Sequence, residues 1–317
     1  MRTLRGAAFA ALLCLAACAK TTMTAHDTMH HDFEPLWDYN DPAASEARFR
    51  AELARVAAGT EAESQLLTQI ARTHGLRRDF AQAHALLDRV EPRVATSSPK
   101  IAVRYALERG RTFNSTGGEE NKARAHALFV AAWDKASAAG LDFYAIDAAH
   151  MMAFVTPPAE QHQWNLKALA LTERTPDARA KKWLIALYNN IGWTYHDEKN
   201  YPAALDMFEK ALIAANARGS PTQQRVAQWA VARCLRSLGR IDEALARQVA
   251  LRDAPNLGAS GDGYVFEEIG ENLQLLGRAD EARVNFARAY ELLKDDAWLQ
   301  ANESARLARL RELGGVR

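Results

Sequence analysis

The stretch LYNNIGWTYHDEKNYPAALDMFEKAL, Leu187 to Leu212, holds a glycine at 192, an aromatic three residues on at Tyr195, and then Ala204, Phe208 and Ala211. Two apolar series, one before and one after a polar break at DEKN, each keep the three- and four-residue intervals that place side chains on one helix face. Such a segment reads as two antiparallel helices in a hairpin. The small residues Gly192 and Ala204 are expected to face each other where the helices cross.

The pattern recurs along the chain. Twelve residues separate Gly192 from Ala204, Ala232 from Ala244 and Gly270 from Ala282, and the three anchors stand 40 and 38 residues apart. Each first helix repeats an apolar residue three beyond its anchor, at Tyr195, Leu235 and Leu273. The last second helix copies the first as Ala282-Phe286-Ala289, while the middle one is looser, Ala244-Gln248-Leu251. Upstream, Ala71 pairs with Ala83, and Gly110 precedes Ala125-Phe129-Ala132 across a turn, NSTGGEEN, lengthened by three residues. A sixth, degenerate hairpin interrupted by Pro157-Pro158 fills the gap between them and Leu187. Turns such as SLGRID and LLGRAD offer glycine at a helix end and aspartate near the next start, where it can cap. One hairpin cannot bury its apolar faces alone, whereas stacked copies form a continuous core.

These residues resemble the tetratricopeptide repeat, whose W-x2-L-G-x2-Y and A-x3-F-x2-A signature is carried here by Tyr188, Ile191, Gly192, Tyr195, Ala204, Phe208 and Ala211. The resemblance spans about Ser64 to Leu293, and the periods near 40 exceed the family's usual 34, as in kinesin-light-chain-style repeats. It implies an all-α solenoid of about six helical hairpins over residues 46–317, with DDAWLQANESARLARLREL as a C-terminal capping helix.

The resemblance also implies a groove lined by the first helices, with side chains at −3, +1 and +4 from each anchor pointing into it. Those offsets give Asn189, Trp193 and His196, then Trp229, Arg233 and Arg236, then Glu267, Glu271 and Gln274, with Asn190 and Tyr264 beside them. One wall is thus expected to be aromatic, the middle cationic and the far end acidic. Amides and guanidinium groups suit an extended peptide's backbone and carboxylates, so a protein or peptide partner is the expected ligand.

The chain opens MRTLRGAAFAALLCLAACAK, with Arg2 and Arg5 ahead of a short apolar run. The run is too short to span a bilayer and has the layout of a secretory signal over residues 1–17. Leu15-Ala16-Ala17-Cys18 resembles the bacterial lipobox, which implies acylation of Cys18. Ala19 after it implies the outer membrane, facing the periplasm. Residues 18–45 carry no helical period and read as a flexible tether. Its His26, His30 and His31 with Asp27 and Asp32 provide an alternative reading, a metal- or small-ligand-binding lipoprotein.

Other classes find no support. With Arg2 and Arg5 removed, 38 of the 40 basic residues face 39 acidic ones, without the basic excess of a nucleic-acid binder. Cys14 leaves with the signal and Cys18 takes lipid, so Cys234 alone cannot make an internal disulfide. The scattered histidines form no H-E-x-x-H, and no nucleophile elbow or phosphate-cradling loop is present. No catalytic residue, metal site or cofactor is expected.

Overall fold

A computed structural model describes residues 33–254 and 262–317. Among these are fifteen α-helices and no strand. Six hairpins follow one another: α2 (Glu61–Leu76) with α3 (Phe80–Val90), α4 (Pro99–Thr116) with α5 (Glu119–Ala138), and α6 (Asp142–Met152) with α7 (Pro158–Arg174). Then come α8 (Trp183–Asp197) with α9 (Tyr201–Arg218), α10 (Pro221–Ser237) with α11 (Ile241–Arg252), and α12 (Gly263–Leu275) with α13 (Ala279–Leu293). The first helix α1 (Pro42–Leu53) packs on α2. At the other end α14 (Ala297–Asn302) leads into α15 (Ser304–Leu313), which packs on α13. The degenerate hairpin is therefore real, and Pro158 stands at the first position of α7, where its missing N–H costs nothing.

The small anchors work differently from the expected small-on-small crossing. Each glycine anchor lies beneath a phenylalanine ring of the second helix. A Cβ added at Gly192 would meet Phe208 Cε1 at 2.6 Å, one at Gly110 Phe129 Cε1 at 2.5 Å, and one at Gly270 Phe286 Cδ1 at 2.8 Å. Where the anchor is alanine, the residue in the phenylalanine position is slimmer: Leu87 sixteen after Ala71, and Gln248 sixteen after Ala232. Leu87 and Gln248 are both fully buried. The repeats thus conserve the combined volume of the two positions, as close packing requires.

The turns also share a device. The residue seven after each of the five anchors above adopts positive φ, which lets the chain leave the helix: Arg78, Gly117, Lys199, Gly239 and Gly277. Asp242 and Asp280 do not cap the following helices; they lie in the first turns, and the N-cap positions belong to Arg240 and Arg278. Aspartate or asparagine caps appear instead at Asp79 and Asn200, where the turn holds no glycine.

The folded part begins earlier than the expected end of the tether at 45. Phe33 is 9% exposed, Pro35 starts a 3-10 turn, and Asp41 caps α1 through its side chain. Trp37 stacks on Tyr39, meets Phe49 edge-on at 5.1 Å and donates to Gln69 Oε1 at 2.7 Å. This arm has no periodicity because each of its side chains finds a separate seat. The signal segment, Cys18 and the histidine-rich stretch lie outside the described residues. No helix among the described residues is long and apolar enough to cross a membrane.

Candidate functional site

Charged side chains on neighbouring first helices meet in a repeated register. With Ala149 as the anchor of α6, the arginine one after an anchor reaches the acid two before the next anchor: Arg72 Nε to Glu108 at 3.8 Å, Arg111 to Asp147, and Arg233 Nε to Glu268 at 3.1 Å. The middle of the stack departs from this. The equivalent residues are His150 with Asn190, then Trp193 with Ala230, so neutral and aromatic groups interrupt the ladder.

The predicted groove residues do come together over α8, α10 and α12, but largely as partners of one another. Trp193 meets Phe208 at 4.9 Å, His196 at 5.2 Å and Trp229 at 6.0 Å between ring centroids. Both tryptophans are half-buried. Trp229 donates its indole N–H to the Tyr264 carbonyl at 3.3 Å. His196 Nε2 lies 2.9 Å from Ser237 Oγ, and burial, followed by the nearby Arg233, lowers its pKa below the ordinary range.

The cationic centre is partly compensated. Arg236 grips the buried Glu268 with two donors, at 2.8 and 2.9 Å, and Arg233 shares the same carboxylate. Asn189 Oδ1 is buried without a hydrogen-bond partner, and the Asn190 carbonyl accepts from Thr194. The acidic far end is corrected by the cap. Arg306 of α15 holds Glu267 through Nε at 2.8 Å and Nη2 at 2.6 Å, and Arg309 pairs with Glu271. The sequence offered no cue that these arginines, some 40 residues downstream, return to the inner face.

One part of this surface keeps room for a ligand. A hollow of about 240 Å³ opens between α10 and α12, lined by Arg225, Val226, Trp229, Asp262 and Tyr264. Its walls are mainly apolar, and Val226 is 50% exposed. A second hollow, of about 300 Å³, lies at the other end of the same face, among charged groups of α2, α4 and α6. Its Arg72 and Arg111 occupy the +1 offset that selected Trp193 and Arg233, so the same rule applied to the first two anchors finds them.

Cys234 is fully buried, its thiol 3.5 Å from the Tyr201 carbonyl, and burial pushes its pKa up to about 11. That is an inert packing group rather than a nucleophile. Among the described residues no group of three or more His, Cys, Asp and Glu could hold a metal ion.

The tetratricopeptide repeat family model matches residues 183–249. The quorum sensor NprR from B. thuringiensis, in its apo form, superposes with a TM-score of 0.58 over 85% of this chain and 74% of its own, at 15% identity. The fold is that of a tetratricopeptide-like helical repeat. BtubC from P. vanneervenii gives a TM-score of 0.53 at 16% identity, covering 68% of this repeat chain and 90% of its own. NprR in complex with its cognate peptide NprX gives 0.51 at 15% identity, over 86% and 79%. No curated protein matches the chain in sequence. At such identities the likeness concerns the repeat fold.

Proposed function

We propose that this repeat protein is a non-catalytic adaptor of the bacterial cell envelope, binding an extended segment of a partner protein along its first-helix face. The observation that carries this reading is the apolar hollow beside Trp229. Elsewhere on α8, α10 and α12 the polar side chains mostly satisfy one another, while this hollow leaves apolar wall open to a partner's side chain. Desolvated tryptophan-lined pockets are where binding energy concentrates. The solved NprR–NprX complex shows that a protein of the same fold binds a peptide. The lipobox resemblance at Cys18 supports anchoring to the outer membrane, on its periplasmic side.

Two experiments test the two halves of this reading. Envelope extract passed over the immobilised repeat domain should return a defined protein, and Val226→Asp or Trp229→Ala should weaken its capture by about 2 kcal/mol, the scale of a hot spot. Capture that survives both changes in a folded domain moves the site elsewhere. Metabolic labelling should place an acyl chain on the wild type and not on Cys18→Ser; an unlabelled wild type ends the envelope assignment.

A further inference from the structure

The hollow among α2, α4 and α6 contains cationic groups that the protein itself leaves short of acceptors. Its rim is built by Tyr39 from the N-terminal arm and Trp183 from the start of α8, with Phe143 and Tyr144 between. Arg104 is well provided for: Nε donates to Thr68 Oγ1 at 3.1 Å and Nη1 to Tyr144 Oη at 3.2 Å. Arg111 binds Glu108 at 2.7 Å and Asp147, yet its Nε is buried with no hydrogen-bond partner. Arg72 is worse served. Its one ion-pair contact, to Glu108 at 3.8 Å, is beyond hydrogen-bond reach, and among the described residues no acceptor takes any of its five N–H groups. Burial, then repulsion from Arg111, lowers its pKa from the ordinary arginine value.

The Arg111 Nε is buried without an acceptor, which is costly. Arg72 keeps 28% of its side chain exposed, so its N–H groups face the opening and are free to take an acceptor from solution. A carboxylate supplies two coplanar acceptors that match the fork of an arginine. The charge of the ligand is limited from the other side. Glu34, Glu108 and Asp147 also line the space, so three acids balance the three arginines and repel a polyanion. The volume of about 300 Å³ stands at the lower end of small-molecule sites. Four aromatic rings around it suit an apolar body.

We propose that this hollow is a binding site for a small organic monocarboxylate, about the size of an acylated amino acid. Its carboxylate sits on Arg72 and on the Nε edge of Arg111, and its apolar part lies against Phe143 and Trp183. The site is separate from the hollow beside Trp229, so either assignment stands if the other fails.

The probe is N-acetyl-L-phenylalanine, compared with its uncharged primary amide and with inorganic phosphate, each titrated into the folded repeat protein by calorimetry. The acid should bind, with the amide and phosphate at least tenfold weaker. Arg72→Gln, checked for its fold by circular dichroism, should remove the preference for acid over amide, and Arg72→Lys should restore part of it. A second readout needs no variant: the Trp183 indole N–H resonance should shift on saturation with the acid while that of Trp298, on α14, stays in place. Equal binding of acid and amide, tighter binding of phosphate, no heat with any probe at 10 mM, or an unmoved Trp183 resonance would each overturn the proposal.

Discussion

Gly192 and Phe208 occupy one volume between them: the place where alanine's methyl would sit at 192 is 2.6 Å from the ring of residue 208. The ring belongs to the core, fully buried among Ala204, Trp193 and their neighbours, so it has little freedom to withdraw. Gly192→Ala should destabilise the domain by about 1–3 kcal/mol, the usual cost of overpacking. The pairing of Ala71 with Leu87 shows which second change compensates. In urea denaturation, Gly192→Ala combined with Phe208→Leu should be more stable than the sum of the single effects predicts. Strict additivity would mean that the two positions do not share their space.

Gln248 fills the same position in the fifth hairpin, fully buried, with neither amide atom bonded to a protein group among the described residues. Substitution by leucine keeps nearly the same bulk and removes an amide that burial penalises. Gln248→Leu is expected to stabilise by about 1–2 kcal/mol, in line with the cost of unsatisfied buried polar groups. A lower melting temperature would show that the amide has a partner worth keeping.

The C-terminal cap is held to the last hairpin by Arg306 on the buried carboxylate of Glu267, with the guanidinium also 5.2 Å from the Tyr264 ring centre. Removing one partner of a buried pair costs about 3–5 kcal/mol; Arg306 is partly exposed, so Arg306→Met should cost about 2 kcal/mol. Glu267→Gln added to it should recover most of that loss, because no buried charge remains. A double variant as unstable as the single one would show that packing, not the ion pair, secures the cap.

Acid should loosen the fold in two separate windows. Burial lowers the pKa of His84, His150 and His196 from the ordinary 6.5, so the unfolded chain binds more protons as the medium acidifies. Stability from these groups is complete above about pH 6.5 and declines as pH falls toward their folded values. Glu63, whose carboxylate is held low first by its hydrogen bond to Arg93, adds a loss only below about pH 4.5. The melting temperature should therefore be level from pH 7 to 8 and fall between 6.5 and 5. His150→Gln, at a ring tilted against Trp183 with its Nδ1 unpartnered, should flatten part of that fall. A melting temperature unchanged between pH 7.5 and 5.5 would contradict the buried neutral histidines.

The hairpins were legible because one interval, twelve from anchor to anchor, survives in four copies and is stretched by three in a fifth, and interval is what stacking demands of a sequence. The volume exchange between anchor and ring is also written there, at a spacing of sixteen, but only the structure shows that these two residues touch. The groove was half legible. Offsets from the anchors selected side chains that come together on one face, yet could not reveal that Glu267 and Glu271 are claimed by Arg306 and Arg309. Nor could they reveal that the segment from Phe33 to Asn40, free of any period, folds against α2. Long-range pairing of that kind follows from where the chain turns back, which no local pattern encodes.

The interrupted ladder of arginines and acids has a mechanical meaning. Ion pairs tie α2 to α4 to α6, and α10 to α12, fixing the tilt between those helices; among the described residues none ties α6 to α8 or α8 to α10. Rings in contact slide past one another more easily than a guanidinium leaves a buried carboxylate. A load applied along the stack is therefore expected to be taken up first at its centre, where Trp193 and Trp229 meet.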